Sequence, residues 1–213
     1  MPRIATLLLF ANLLPGAVVI DRIAVVVNKH PVKLSDIQRD LRLTEFMNRQ
    51  PADLSPAAMK KAAGRLIDQA IIRDDIAGAG YPRPAESEAD ALVKHLVRDR
   101  FGGSSARLRE ALSRYDISEG ELRAQYQFQL AVLRFIDQRF RPGIQVTDGE
   151  VQTYYNQHLA ALKRKYPENF ALAALENDIR SLLEGERVNQ LFTTWLDEAR
   201  EKAHIVYEEG AFQ

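Results

Sequence analysis

Signals that start α-helices recur along this chain, which leaves little room for a fold that is not mainly helical. Ser35-x-x-Gln38, Ser118-x-x-Glu121 and Thr147-x-x-Glu150 are capping boxes. In a capping box the hydroxyl and the Glu or Gln side chain each satisfy a backbone N–H that the first helical turn leaves without a partner. At Ser55-Pro56 a cap residue stands directly before a proline, which is favoured at the first helical position. The sequence therefore predicts four helix starts.

Apolar side chains return with helical spacing after these starts and after breaks at Gly78 to Pro82, Gly102-Gly103, Pro142-Gly143 and Pro167. The stretch from Ser118 to about Phe140 is apolar all round, so this helix is expected in the middle of a bundle or against a partner. The other stripes each occupy one helix face. They are Leu66, Ile67, Ala70 and Ile71; Ala89, Leu92, Val93, Leu96 and Val97; Leu108, Ala111, Leu112 and Tyr115; Val151, Tyr154, Tyr155, Leu159 and Leu162; and Val188, Leu191, Phe192, Trp195, Leu196 and Ala199.

Strand character is confined to the two ends of the chain. Residues 18–27 are mostly β-branched, and the turn-like Asn28-Lys29-His30-Pro31 leads to a second extended piece at Val32 to Leu34, which together indicate a hairpin. His204 to Tyr207 returns to strand character after the last helix. A lone strand needs a partner edge, so we expect the two chain ends to meet in one small sheet. The predicted fold class is mostly α, with several helices and this small sheet.

The N-terminus has the pattern of a secretory signal. Arg3 precedes the eleven-residue apolar run from Ile4 to Leu14, and the small-residue stretch Pro15-Gly16-Ala17 follows. We therefore predict a signal peptide over residues 1–17 and a single mature domain over residues 18–213. A buried N-terminal helix or a retained anchor is the alternative, although the run is shorter than the roughly 20 residues that span a bilayer. No integral membrane span is expected.

Charge and cysteine content exclude several classes of function. Lys and Arg total 29, as do Asp and Glu, so no long-range positive field draws the chain to nucleic acid. Nucleic acid is therefore not an expected partner. The sequence contains no cysteine, which excludes disulfides, thiolate zinc sites and a cysteine nucleophile.

A search for catalytic or metal-binding patterns finds none that we would assign. The four histidines, His30, His95, His158 and His204, never stand three or four residues apart, as a helical metal pair would require. Surface or packing roles are expected for them, with His158 half-buried. The neighbouring Asp74 and Asp75 point about 100° apart on a helix and are interpreted as a solvated face. We predict no catalytic residue, no metal ligand and no cofactor.

Several aromatic residues stand near predicted helix ends, where partial exposure would form a groove for apolar segments of another chain. Aromatic residues at such positions belong to the core more often than to a binding surface. The candidates for contact with a polypeptide client are Phe101, Tyr115, Phe128, Phe140, Tyr154, Tyr155 and Phe170.

The sequence resembles the SurA-like periplasmic chaperone family through a pattern spread over nearly all of the mature chain. The matching segments are residues 19–28 with Val32-x-x-Ser35-Asp36-Ile37; Leu66 to Ile72; Ala111 to Tyr115; Leu122 to Leu130; Ile144-x-Val146-Thr147-Asp148-x-Glu150-Val151; and Trp195 to Ile205. In this family an N-terminal chaperone region, here residues 18–146, is followed by a C-terminal helical part, here residues 147–213. The resemblance also implies that the last strand joins the first ones in a small sheet.

The chain departs from the family after Val151. Relatives usually insert one or two parvulin-type prolyl isomerase domains there, whereas the residues that remain here are strongly helical and show no parvulin-like pattern. The resemblance thus implies a chaperone core without its enzyme. Such a core would hold unfolded outer-membrane β-barrel precursors in the periplasm without ATP. The alternatives are a prolyl isomerase of the parvulin-containing family and a membrane-tethered scaffold for a dedicated partner.

Overall fold

The computed structural model describes residues 21–212, which contain seven α-helices and three β-strands. The signal-peptide prediction for residues 1–17 and the first residues of the predicted hairpin, 18–20, lie outside the described residues. The elements in chain order are β1 (Ile23–Val27), β2 (His30–Lys33), α1 (Leu34–Asn48), α2 (Pro56–Gly78), α3 (Glu86–Phe101), α4 (Ser105–Ser113), α5 (Glu119–Phe140), α6 (Asp148–Lys165), α7 (Leu172–Lys202) and β3 (Ile205–Tyr207). The mostly α fold with a small sheet is confirmed.

The two ends of the described chain meet in one antiparallel sheet of order β2-β1-β3, as predicted. The hairpin turn is shorter than the sequence indicated, because only Asn28 and Lys29 form it and Asn28 adopts a left-handed φ of 54°. Pro31 lies within β2, opposite Val26. Proline is tolerated there because β2 is an edge strand, and the position after the closing pair of a two-residue hairpin directs its nitrogen away from β1.

Three hydrophobic clusters hold the helices together. The first lies between the sheet, α1, α2 and the end of α7, and the second joins α1 to α3, α4 and the first half of α5. The third is smaller and joins α6 to the first half of α7. Ala24 and Val25 point to opposite faces of β1 and are both fully buried, so both faces of the central strand are covered.

The sequence of α5 is apolar all round because this helix packs on three other helices. Leu122 and Tyr126 belong to the second cluster with α3, and Phe135 packs on Trp195 of α7. A short contact with α2 completes its surroundings. Leu133 is the exception, with 63% of its surface exposed. The sequence left two positions open for α5, in the middle of a bundle or against a partner. Most of the helix occupies the first of these.

Three of the four predicted helix starts are confirmed by their hydrogen bonds. Ser55 Oγ accepts from the N–H of Ala58 at 3.3 Å. The capping boxes at Ser118 and Thr147 are both formed, and in each the backbone N–H of the cap residue donates to the glutamate three residues later.

The predicted capping box at Ser35 is wrong. Helix α1 begins at Leu34, and the N–H of Lys33 donates to Asp36 Oδ2 at 3.2 Å. Ser35 instead donates its hydroxyl to Asp21 Oδ2 at 2.6 Å. The chain passes directly from strand β2 into the helix, so the cap falls on the last strand residue and the serine is freed to tie down the segment before β1.

Acid is expected to loosen the start of α6 through Glu150. Its carboxylate accepts from the N–H and the hydroxyl of Thr147, each at 2.8 Å, and from Arg187 of α7, and these bonds lower its pKa from 4.5 to about 2. Because the folded-state pKa lies below the ordinary value, the stabilisation is complete above about pH 4.5 and is lost as the pH falls through about 2. Urea unfolding should therefore show Glu150→Gln to be less stable than the wild type at neutral pH, with the difference vanishing towards pH 2.

Glu186→Gln is the matched control, since Glu186 is exposed on α7 and makes no ion pair within residues 21–212. This variant should follow the wild type at every pH. A gap between Glu150→Gln and the wild type that stays constant between pH 7 and pH 2 would contradict the assignment.

Candidate functional site

An open cleft of about 1020 Å³ lies between α1, α2 and α5. Strand β2 borders it at His30, Pro31 and Val32, and the loop from α2 to α3 borders it at Tyr81, Arg83 and Pro84. Its volume lies at the upper end of the roughly 300–1,000 Å³ that is usual for small-molecule pockets. The cleft is therefore large enough to take more than one side chain of a ligand.

Small side chains on the two facing helices keep this cleft open. Ala70 and Ala77 of α2 stand on one wall, and Ala124 and Ala131 of α5 stand on the other. The two helices contact each other only briefly, whereas α5 packs extensively on α3 and α2 packs on α1. The space between them is thus a consequence of alanine at positions where larger side chains would have closed it.

Phe128 and Arg73 form the one contact between an aromatic ring and a cation in the cleft wall. The guanidinium carbon of Arg73, on α2, lies 4.2 Å from the centre of the Phe128 ring, on α5. A cation over an aromatic face is attracted by the negative charge density of the ring. Withdrawal of the guanidinium from water lowers the pKa of Arg73, an effect opposed by the charges of Asp36 and Asp40.

The carboxylates of the cleft wall are already paired with cations. Asp36 and Glu121 both contact Arg39, at 3.1 and 2.8 Å. The backbone N–H and the hydroxyl of Ser118, together with the charge of Arg39, hold the pKa of Glu121 below its ordinary value, with the backbone N–H contributing most. Asp40 accepts from Arg65 at 2.5 Å.

The fourth carboxylate of the wall, that of Asp74, lies 2.8 Å from His30 Nε2. His30 stands on the neighbouring strand β2, so this contact closes one end of the cleft. All four carboxylates therefore have a nitrogen partner supplied by the protein itself.

Two arginines of the wall have no such partner. Arg73 donates one long hydrogen bond, 3.4 Å to Gln69 Oε1, and contacts no carboxylate within residues 21–212. Arg83 makes no ion pair with any described residue. It stands between Pro82 and Pro84, which restrict the backbone on both sides of it. The guanidinium groups of the cleft without a carboxylate partner are thus those of Arg73 and Arg83, which are both exposed, and the formal charges of the wall nearly cancel.

The structure distributes the seven sequence-predicted aromatic residues over four places. Phe128 alone lines the cleft. Phe101 and Tyr115 are half-buried on the second cluster, and the Tyr115 hydroxyl donates to the carbonyl of Gln50 at 2.9 Å. Phe140 packs against Phe135, Phe192 and Trp195.

The remaining three stand on the helical hairpin formed by α6 and α7. Tyr154 and Tyr155 are half-buried against the third cluster, and Tyr154 stacks on His158 with ring centres 4.0 Å apart. Phe170 is half-buried, with Lys163 Nζ 5.0 Å from its ring centre. The seven residues therefore do not form one surface, and most of them serve local packing.

The interpretation of Asp74 and Asp75 as a solvated face holds in part, and the half-buried position expected for His158 is wrong. The two aspartate side chains are 39% and 33% exposed, but Asp74 also pairs with His30 and Asp75 pairs with Arg139 of α5. Their predicted divergence is what lets them reach different elements. His158 is exposed rather than half-buried, and its Nδ1 lies 2.9 Å from the carbonyl oxygen of Tyr154.

Arg39, Arg73 and Arg83 went unnoticed in the sequence, since single arginines carry no spacing signal. The cleft offers small aliphatic, aromatic and guanidinium groups for non-covalent binding. Elsewhere in residues 21–212, no group of three or more acidic or histidine side chains is arranged to hold a metal ion. Within the same range, no helix combines the length and apolar content needed to cross a membrane.

No protein-family model and no curated protein matches the chain.

Proposed function

We propose that this chain is an ATP-independent holding chaperone that binds unfolded polypeptides, and that its clients are outer-membrane β-barrel precursors in the periplasm. The observation that carries the proposal is the open cleft between α1, α2 and α5, walled by alanines, Phe128 and unpaired guanidinium groups. The resemblance to SurA-like chaperones supports the client class, and the signal-like pattern of residues 1–17 supports the compartment.

A holding chaperone needs surface that tolerates many sequences. The small aliphatic walls provide apolar contact without a shape specific to one side chain, and the rim provides hydrogen-bond donors for polar groups of the client. Affinity is expected to be modest because ordering a flexible client offsets much of the contact free energy. Release then requires no nucleotide.

The other large apolar residues that are exposed are spread over several elements. Leu133 lies on α5, Leu182 and Leu191 lie on α7, Leu54 lies before α2, and Ile23, Val206 and Tyr207 lie on the small sheet. Scattered apolar side chains are normal on soluble proteins. The cleft is therefore the surface to test.

Filling the cleft should abolish most of the holding activity. Ala124→Trp on α5 and Ala77→Trp on α2 each add a bulky ring to an exposed position of the cleft wall. The added ring either blocks the client or must move aside before the client can bind. We therefore expect that about tenfold more protein is needed to suppress aggregation. The measurement is light scattering of a urea-denatured outer-membrane β-barrel protein diluted without nucleotide at near-stoichiometric chaperone.

Ala106→Trp is the matched control, because Ala106 is exposed on α4, away from the cleft. This variant should retain wild-type suppression, and circular dichroism should show that all three variants keep their helices. The proposal fails if the wild-type protein leaves aggregation unchanged, or if both cleft variants suppress it as well as Ala106→Trp does.

A further inference from the structure

The cleft combines apolar walls with guanidinium groups whose hydrogen bonds are not satisfied by the protein. Its wall contains three arginines, Arg39, Arg73 and Arg83, and four carboxylates. Each carboxylate is paired, and Arg39 is consumed by Asp36 and Glu121. Asp74 has only the imidazole of His30 as its partner, and Arg73 and Arg83 have no carboxylate partner, so these two guanidinium groups are the ones that can receive an anion.

Arg73 is the better placed of the two to bind that anion. A guanidinium carries five N–H donors, and only one of those of Arg73 makes a hydrogen bond, a long one to Gln69. The Phe128 ring, 4.2 Å away, holds the guanidinium against the wall of the cleft. An arginine that is held in place loses less side-chain entropy when it binds a carboxylate.

Arg83 stands on the loop that closes the cleft between α2 and α3. The prolines on both sides limit its backbone, and Gln127 of α5 donates to the carbonyl of Pro84 at 3.1 Å. This bond ties the loop to the opposite wall. The backbone that carries Arg83 is therefore held at the rim of the cleft.

We propose that the cleft binds extended segments that carry an Asp or Glu side chain beside aliphatic residues, with the side-chain carboxylate bound by Arg73 and attracted by Arg83. This inference rests on the proposed function and names the class of client segment that the cleft prefers. The alanine walls take the neighbouring aliphatic side chains, and the guanidinium groups take the carboxylate. Acidic segments are then bound more tightly than neutral segments of the same size.

The test compares two short peptides with blocked ends by isothermal titration calorimetry. Both alternate valine and serine, one has a central glutamate and the other has glutamine in its place, so the side-chain carboxylate is the only difference. We expect the wild-type protein to bind the glutamate peptide about tenfold more tightly, as one charge-assisted hydrogen bond allows. Added salt should weaken this preference because the rim is open to solvent.

Arg73→Gln should remove most of the preference, and Arg83→Gln should reduce it, because in each variant the glutamate peptide loses more affinity than the glutamine peptide. Arg109→Gln is the control of equal charge change, since Arg109 is exposed on α4 and makes no ion pair within the described chain. It should keep the full preference. Thermal unfolding of the three variants confirms that each is folded.

Four results would overturn the inference. If the wild type binds the two peptides equally and still suppresses aggregation of the barrel protein, the carboxylate preference is refuted and the proposed function is not. A preference that persists in both Arg73→Gln and Arg83→Gln places the anion elsewhere. A glutamine peptide with a free C-terminus that matches the glutamate peptide refutes the assignment to side chains. If neither peptide binds and aggregation is unchanged, the proposed function fails as well.

Discussion

Replacing Phe135 with alanine is expected to destabilise the protein by about 3–5 kcal/mol. Phe135 is fully buried, and its ring packs edge-on against Tyr81, Phe140 and Trp195 with centre distances of 5.4, 5.8 and 5.1 Å. Alanine would remove the ring and leave a cavity where α5, α7 and the loop from α2 to α3 meet. Urea unfolding followed by circular dichroism measures the loss.

Leu133→Ala is the matched control for this prediction. Leu133 lies on the same helix, only two positions away, and is 63% exposed. Its truncation should change the free energy of unfolding by no more than about 0.5 kcal/mol. Similar losses for Phe135→Ala and Leu133→Ala would show that the aromatic cluster is not packed as described.

Replacing Arg65 with methionine is expected to destabilise the protein by about 2–3 kcal/mol. Asp40 of α1 is only 8% exposed, and its Oδ2 accepts two hydrogen bonds from Arg65 of α2 at 3.0 and 2.5 Å. Without the arginine, the carboxylate keeps only a 3.3 Å bond from Gln69. Removing one partner of a fully buried ion pair costs about 3–5 kcal/mol, and partial exposure of the Arg65 side chain lowers the expected value.

The double variant Asp40→Leu with Arg65→Met shows whether stability is lost because the ion pair is missing or because a buried carboxylate is left without a cation. It should recover much of the stability, because no carboxylate is then left without its cation. Arg42→Met is the control, since its partner Asp116 is exposed and stays hydrated when the arginine is removed. The interpretation fails if Arg65→Met costs no more than Arg42→Met, or if the double variant is as unstable as Arg65→Met alone.

The helices were predictable where local chemistry decides the conformation. Ser55, Ser118 and Thr147 cap helices through hydrogen bonds to residues three positions away, so the sequence contains the whole interaction. The prediction of a cap at Ser35 was wrong because its hydroxyl binds Asp21, fourteen residues earlier, and no local pattern indicates that contact. The meeting of β1 and β3 was predictable for another reason, since strand character was confined to the two ends.

The cleft was harder to predict from the sequence than the helices were. Phe128 belonged to the predicted set, but nothing in the spacing of aromatic residues distinguished it from Tyr115 or Phe140, which pack locally. Whether a half-buried ring lines a cavity depends on the residues of other helices. Arg73, which lies against the Phe128 ring, stands 55 positions earlier in the chain.

Local hydrogen bonding and hydrophobic periodicity thus sufficed for the elements, their order and the small sheet, because these depend on residues close in sequence or on an unambiguous choice of partner. Only the packing of α1, α2 and α5 decided that a cleft exists and which charges in it are unpaired. The same residue type has opposite roles there: Arg39 and Arg65 hold carboxylates, while Arg73 and Arg83 hold none. Pairing between charges is a property of distance in space, and that distance is set by how the helices pack.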